Sequence, residues 1–377
     1  MTAARRAKLP AMRSTVRDTG AAIGSQARML LLNRTLWSTR HLVGALRLAG
    51  RWAVAPDGTA PPPLAVAWYL THACPEACDF CNVSRALDAE TPALSLERAK
   101  DLVDRLVPAV PVVALGGGEP AAYPGLVPLI EHIHARGGRV SLVTAATSLG
   151  PTKAAALADA GPEMVMVSLL GDEASHDRRM GRAGAHRRAV ATIERLVERR
   201  DPRRTRIILN CTVGPDDADA IEAVARAGRD LGVDAVRFTW LSFMGASEAA
   251  LAPRAHPYLV VDAPVAAPDA RRGLIAAVAA ARRAHPGFVD FLPHLTDAEL
   301  DAWFGGGGLR RPCLSLWHTL FLRPDGHAVP CGHMQEDPVG DATREPLGAF
   351  WNGDAMKRVR MAQRAGPFAM CARCCKN

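Results

Sequence analysis

Short apolar runs alternate with helical stretches from residue 64 onward, and this alternation limits the folds that the chain can adopt. The six runs are Leu64–Thr71, Val112–Leu115, Val140–Thr144, Met164–Leu169, Ile207–Val213 and Ala235–Trp240. Successive strand–helix units favour a parallel sheet, and chemistry in such folds collects at the carboxyl ends of the strands. The sequence therefore predicts an α/β fold with six strand–helix units in a parallel sheet, either open or curled into a partial (β/α)6 barrel, followed by a small cysteine-containing module.

The first 60 residues form a separate, strongly basic segment. Residues 1–56 hold ten Arg or Lys and one acidic residue, whereas the other 321 residues hold 36 basic and 37 acidic ones. A body so close to neutral excludes a general nucleic-acid-binding surface. We place the domain boundaries so that residues 1–60 are an extension, 61–300 the barrel and 301–377 the C-terminal module.

Helical spacing within the basic segment predicts that the extension is a helix. Arg40, Arg47 and Arg51 fall near one face, and Leu42, Leu46, Ala49 and Ala53 fall on the opposite face. We expect the apolar face to pack against the body. The alternatives are a helix that lies on a membrane surface and a segment that docks a partner.

The cysteine content favours a reducing compartment. Nine cysteines in a chain of 377 residues do not resemble the disulfide framework of a small secreted protein. The sequence has no run of about 18 apolar residues that would cross a membrane and no signal-peptide pattern after Arg5 and Arg6. We therefore expect a cytoplasmic protein whose thiols are reduced and metal-bound.

The first cysteine group follows the first apolar run directly. Cys74, Cys78 and Cys81 have the spacing C-x3-C-x2-C, with Phe80 just before the third cysteine. Three thiolates on a short loop can hold three irons of a [4Fe–4S] cube and leave the fourth iron open. Zinc is the alternative, but a closed zinc site needs a fourth ligand.

This loop, followed by Gly116-Gly117-Gly118-Glu119-Pro120 after the second run, resembles the radical S-adenosylmethionine (SAM) superfamily. The resemblance implies a TIM-like partial barrel in which the open iron chelates SAM. It also implies reductive cleavage of SAM to a 5′-deoxyadenosyl radical, which abstracts hydrogen from a substrate. In that family Glu119 would bind the methionine amino group, with Gly117 and Gly118 allowing close backbone approach.

Other positions resemble the family less closely. Ser168 and Arg182 match residues that contact the ribose and the methionine carboxylate, although a solvated charge at a helix start also explains Arg182. Leu170 stands where the family often has Asp. Residues 144–147, Thr-Ala-Ala-Thr, depart from the family's Thr-Asn-Gly, which puts the local SAM contact in doubt.

A second cysteine group lies in the last 65 residues. A tight turn at 323–326 brings Cys313 and Cys331 together, and the chain continues to a C-x2-C pair at Cys371 and Cys374. Four thiolates suit a closed [4Fe–4S] cluster or zinc, and the spacing alone does not separate them. Residues 347–352 are similar to the linker of SPASM and twitch domains, which carry one or two auxiliary clusters. The full module has seven cysteines and this one has five, so we expect one auxiliary [4Fe–4S] cluster, ligated by Cys313, Cys331, Cys371 and Cys374. Cys375 could replace Cys374 as its fourth ligand.

Cys211 stands alone at the end of the fifth apolar run. A cysteine there can be a small buried apolar residue, or a catalytic hydrogen-atom donor that quenches a substrate radical. We take the donor role as the functional hypothesis for Cys211.

The resemblance implies an enzyme with two [4Fe–4S] clusters and SAM, which draws electrons from a donor such as a flavodoxin or ferredoxin. The short C-terminal module favours a small sugar-like or other natural-product metabolite as the substrate, which would be oxidised, epimerised or rearranged. One alternative is modification of a ribosomally made peptide or a lipid. Another, from a different class, is a non-catalytic two-cluster electron-transfer protein.

Overall fold

A computed structural model describes residues 57–81, 91–244, 265–309 and 311–374, together with five residues between 36 and 46. Arg40, Arg47, Arg51 and Cys375 lie outside the described residues. None of the helices within these ranges is both long and apolar enough to cross a membrane.

One ten-stranded sheet organises the described chain. Its order is β10-β9-β8-β1-β2-β3-β4-β5-β6-β7. Strands β1 to β7 are parallel neighbours in chain order, β8 is parallel to β1 on its other side, and β9 and β10 are antiparallel. The strands are β1 (Ala65–Thr71), β2 (Val112–Gly117), β3 (Arg139–Thr144), β4 (Met164–Ser168), β5 (Arg206–Val213), β6 (Ala235–Trp240), β7 (Val289–Leu292), β8 (Thr319–Leu322), β9 (His327–Val329) and β10 (Gly340–Asp341).

Helices follow most of the parallel strands, as the alternating pattern predicts. They are α1 (Leu96–Leu106), α2 (Leu126–Ala135), α3 (Pro151–Ala160), α4 (Glu173–Met180), α5 (Ala185–Arg199), α6 (Ala218–Asp230), α7 (Pro268–Ala284), α8 (Asp297–Phe304), α9 (Ser315–His318), α10 (Leu347–Trp351) and α11 (Asp354–Ala365). The α/β partial barrel is confirmed, and its six predicted strands all form. Strand β7 and helices α4 and α8 also form, and no sequence pattern had predicted them.

The amino ends of the strands are closed by an apolar cluster. Leu36, from the N-terminal extension, is buried there among Val112, Met164, Ile208 and Ala235, which come from β2, β4, β5 and β6. Leu36 thus completes the barrel floor. Leu46, assigned above to the packed face of the extension, is instead 76% exposed.

A polar row crosses the concave face of the sheet above this floor. Strand register aligns Ser168 with Asn210, Asn210 with Arg237, and Arg237 with Asp290. Arg237 Nη1 lies 3.4 Å from Met166 Sδ on β4, two strands away, so its side chain spans the concave face. The carboxyl half of the barrel is therefore lined by charged and amide groups.

The C-terminal residues extend the barrel sheet. Strand β8 pairs with β1 from Ala65↔Thr319 to Trp68↔Leu322, and α8 runs across the expected boundary at residue 300. Arg360 on α11 is fully buried and donates to the carbonyls of Leu316 and Gly58 at 2.8 and 3.0 Å. The module and the start of the barrel are thus tied by backbone pairing and a buried side chain.

Candidate active site

The loop that follows β1, residues 72–81, is called the cluster loop here. The end of α4 supports it, because the Ala77 N–H donates to the Met180 carbonyl and the Asp79 N–H to the Arg179 carbonyl, both at 3.1 Å. Gly181 ends α4 with φ 64°, and a Cβ there would lie 2.8 Å from the Ala77 oxygen. Only glycine therefore allows the helix end to approach the loop this closely.

All three cysteines of the cluster loop are half-buried, and they form no disulfide. Burial raises the pKa of Cys74 to about 11 and that of Cys78 to about 12, and neighbouring thiols of the same loop add to both shifts. The three sulfurs therefore share one small region, and the Glu76 N–H donates to Cys74. Amide N–H groups directed at sulfur favour its thiolate form.

These residues fit three ligands of a [4Fe–4S] cube. Within the described ranges, no three His, Cys, Asp or Glu side chains converge on a single metal ion. In a cube each thiolate binds a different iron, so its ligands need not meet at one point. The loop would hold three irons, and the cluster would supply the electron that cleaves SAM.

The glycines after β2 lie directly against the cluster loop. A Cβ on Gly118 would lie 2.3 Å from the Ala73 oxygen, and one on Gly117, which has φ 120°, would lie 2.4 Å from the Thr71 oxygen. The Gly118 N–H donates to the Thr71 carbonyl at 2.7 Å, and the Glu119 N–H to the Ala73 carbonyl at 2.9 Å. The close approach expected of these glycines is to protein backbone.

Glu119 is buried and tied to the loop after β3. Its Oε1 accepts from the Ala121 N–H at 2.9 Å and the Thr144 hydroxyl at 2.6 Å, and its Oε2 accepts from the Ala145 N–H at 2.7 Å. Burial raises its pKa, which these hydrogen bonds oppose. A carboxylate has about four acceptor sites, so one site on Oε2 remains for an ammonium group.

Although residues 144–147 depart from Thr-Asn-Gly, the residue at the glycine position keeps a backbone conformation that glycine favours. Ala146 stands at the glycine position and adopts φ 61°, the left-handed region that glycine favours. It is fully buried, and the Thr192 hydroxyl donates to its carbonyl at 3.0 Å. The surrounding contacts therefore hold an alanine in a conformation that costs energy.

Ser168 and Arg182 occupy different settings near the mouth of the barrel, which is the end where the cluster loop and Glu119 lie. Ser168 is the last residue of β4 and is half-buried in the polar row. Arg182 follows Gly181, and its Nη1 lies 2.7 Å from Oε1 of Glu76 in the cluster loop. Arg182 is therefore not simply a solvated charge at a helix start. No local sequence pattern predicts the pairing of Arg182 with Glu76.

Cys211 does not join the site. It is fully buried among the apolar side chains of the main core, whereas Asn210, its neighbour on β5, lies in the polar row. Because successive side chains of a strand point to opposite faces, Cys211 points toward the helix layer. Burial raises its pKa to about 12. The structure corrects the hypothesis that Cys211 faces the mouth, and we assign it no donor role.

The second cysteine group comes together within the C-terminal module. Cys313 and Cys374 are buried, and Cys331 and Cys371 are half-buried as residues. Burial raises the pKa of Cys331 to about 12 and that of Cys371 well above its usual value, with Cys313 contributing to both shifts. The N–H groups of His333 and Met334 donate to Cys331. These residues fit the ligands of a buried cluster.

Strand β1 lies between the two cysteine sites. A Cβ on Gly332, next to Cys331, would lie 2.6 Å from the Tyr69 hydroxyl, and Tyr69 stands five residues before Cys74. The Tyr69 and His72 rings make an edge contact at 6.4 Å. One strand and one tyrosine therefore connect the second cysteine site to the mouth.

Two family models match this chain. Residues 68–228 match the Radical SAM superfamily, and residues 313–375 match SPASM, an iron-sulfur cluster-binding domain. The PqqA peptide cyclase of Ruegeria pomeroyi is 28% identical over 325 residues, covering 81% of this chain and 78% of that protein. The AdoMet-dependent heme synthase of Methanosarcina barkeri is 29% identical over 181 residues, covering 48% and 51%.

Solved structures show the same fold. Streptococcus suis SuiB bound to the precursor peptide SuiA has a TM-score of 0.61 and 12% identity, covering 86% of this chain and 74% of that chain. The fold of the described residues is therefore shared well beyond detectable sequence similarity.

The expectation of a small sugar-like substrate is wrong. The PqqA peptide cyclase that aligns with 81% of this chain is named for action on a peptide. A short module with few cysteines is thus no guide to substrate size.

Proposed function

We propose that this chain, which carries a radical SAM domain and a SPASM domain, modifies a peptide. Its cofactors are SAM, the [4Fe–4S] cluster of the radical SAM domain and additional iron–sulfur binding in the SPASM domain. Since the superfamily is one of enzymes, the non-catalytic electron-transfer alternative is wrong. The observation that carries the peptide proposal is the alignment with a PqqA peptide cyclase over 81% of the chain.

The proposed reaction is an oxidation of the peptide by two electrons. One hydrogen atom leaves a C–H bond for the 5′-deoxyadenosyl radical, and the peptide radical then loses one electron and one proton as a new bond forms. The electron would pass to the auxiliary cluster, held by Cys313, Cys331, Cys371 and Cys374. The relative's name, a cyclase, supports a bond within the peptide.

The residues around the mouth divide the work in this proposal. Cys74, Cys78 and Cys81 hold the cluster, and Glu119 binds the SAM amino group through its remaining Oε2 site. Ser168 and Arg182 contact the ribose and the carboxylate. A guanidinium has five N–H donors, so the contact of Arg182 with Glu76 leaves donors for a carboxylate.

The polar row supports a peptide-binding role for the concave face. Asn210 Oδ1 accepts from the Thr239 hydroxyl at 3.0 Å, and the Arg237 and Asp290 side chains approach to 3.8 Å. These groups offer both donors and acceptors, which peptide amides and polar side chains require.

Co-expression with short peptides encoded near this gene tests the proposal. We expect mass spectrometry to show a peptide lighter by two hydrogens, formed together with 5′-deoxyadenosine. The Cys78→Ala variant is the matched control and should leave every peptide unchanged. Oxidation of a lipid or metabolite by the enzyme, with all peptides intact, would contradict a peptide substrate.

Three further expectations remain proposals. We propose that a flavodoxin or ferredoxin supplies the electrons and that the enzyme works in the cytoplasm. The basic extension is a proposed site of contact with anionic membranes, supported by the exposure of Leu46 and its basic sequence surroundings.

A further inference from the structure

Glu76 is a buried carboxylate inside the cluster loop, between Cys74 and Cys78. Its side chain is 0% exposed. Its Oε1 accepts from Arg182 Nη1 at 2.7 Å and from the Thr147 hydroxyl, while its Oε2 is buried with no hydrogen-bond partner among the described residues. These contacts join the cluster loop to the loop after β3 and to the end of α4.

Stability alone does not explain this residue. Burying a carboxylate costs free energy, and an unsatisfied oxygen adds to that cost. Its partner Arg182 is 38% exposed, so water screens the positive charge more than the negative one. The buried member of the pair is therefore the negative one, and it lies in the cluster loop two residues from both Cys74 and Cys78.

We propose that Glu76 is a positioning residue that lowers the reduction potential of the radical-generating cluster by holding a buried negative charge beside two of its ligands. Reduction adds one electron to the cluster, taken from the external reductant, so the cluster becomes more negative by one charge. A nearby negative charge opposes that step, and the net charge around a cluster is one of the factors that set its potential. A cluster of lower potential is a stronger reductant toward SAM.

Three variants of the full chain, loaded with iron and sulfide without oxygen, separate charge from structure. Glu76→Gln removes the charge but keeps an acceptor oxygen, Arg182→Met removes the counter-charge, and Thr147→Val removes one hydrogen bond without changing charge. The measurement is a redox titration followed by electron paramagnetic resonance, without SAM or peptide. The relevant signal is identified in parallel samples as the one that changes when SAM is added.

We expect the midpoint potential to rise in Glu76→Gln, to fall by a smaller shift in Arg182→Met and to stay at the wild-type value in Thr147→Val. Shifts of the midpoint potential in opposite directions would show that charge is the cause. If the Glu76–Arg182 contact were only structural, both variants would shift the midpoint in the same direction or leave it unchanged. An unmoved or lowered midpoint in Glu76→Gln overturns the proposal. If Glu76→Gln binds no iron, Arg182→Met decides, and a midpoint that does not fall overturns it. No peptide is present, so the outcome is independent of the substrate proposal.

Discussion

The two cysteine sites are built in contrasting ways. Cys74, Cys78 and Cys81 share one half-buried loop of ten residues, whereas the second set comes from before α9, after β9 and beyond α11. The first site depends on neighbours in the chain and on a helix end that touches it. The second exists only once distant segments have packed. A site within one loop can be recognised from the spacing of its cysteines, whereas a site built from distant segments forms only if the chain has folded correctly.

We expect the largest effect from a substitution that disrupts only the cluster loop. Cys78→Ala should abolish 5′-deoxyadenosine formation and remove about four irons per chain, because two thiolates hold a cube poorly. Iron analysis and chromatography of the SAM products measure both. Cys211→Ala is the control and should keep full cleavage, since that thiol faces the core. Cleavage retained by Cys78→Ala would refute the ligand assignment.

The next prediction breaks the distributed site. The Cys371→Ala/Cys374→Ala variant should lose about four irons and all peptide product, yet still form 5′-deoxyadenosine, because the cluster loop lies outside the module. Cys375→Ala serves as the comparison, as it tests whether that neighbour is a ligand. One zinc per chain in place of the second cluster would instead make the site purely structural.

Substitution of Arg360 tests how much the C-terminal module, which carries the second cysteine site, depends on buried contacts with the rest of the chain. Arg360 lies 4.2 Å from the Trp351 ring, and burial lowers its pKa to about 9, so it stays charged at neutral pH. Arg360→Met leaves the Leu316 and Gly58 carbonyls unpaired and should cost about 2–4 kcal/mol of unfolding free energy. Chemical denaturation measures it. Exposed Arg358→Met should change stability by less than about 0.5 kcal/mol.

His176 offers a pH test of the helix beneath the cluster loop. It is buried on α4, its Nδ1 accepts from the Leu170 N–H at 3.1 Å, and burial lowers its pKa to about 4. The unfolded state therefore binds a proton between about pH 6.5 and 4 that the folded state does not, so stability falls as pH drops through this window. We expect a loss of about 2 kcal/mol from pH 7 to 5 from this group.

His176→Gln should flatten that dependence when urea unfolding is measured at both pH values. Were the slope unchanged in this variant, other groups would account for the acid sensitivity.

The smallest effect concerns Ala146. Ala146→Gly should stabilise the protein by about 0.5–1 kcal/mol, because relief of the left-handed strain exceeds the entropy cost of glycine. Ala145→Gly, outside that conformation, should destabilise it by a similar amount. Thermal unfolding measures the stability of both variants. Equal changes of the same sign would contradict the claim that Ala146 is strained.

Sequence reasoning predicted the regular part of the fold and the local site for physical reasons. Buried strands such as β4 and amphipathic helices such as α5 leave strong periodic patterns. Helix α4 is polar apart from a few buried positions, so no apolar stripe marks it, although the N-cap at Asp172 and the glycine at 181 were available signals. The pairing of Glu76 with Arg182 joins residues 106 apart, and no local pattern encodes it.

The pairing of β8 with β1 has a consequence for electron movement. Cys331 follows β9 and Cys74 follows β1, and these two strands belong to one hydrogen-bonded sheet in which β8 lies between them. Moving one site relative to the other would break main-chain hydrogen bonds over four residue pairs. The distance that an electron would travel between the cluster loop and Cys331 is therefore set by this strand pairing.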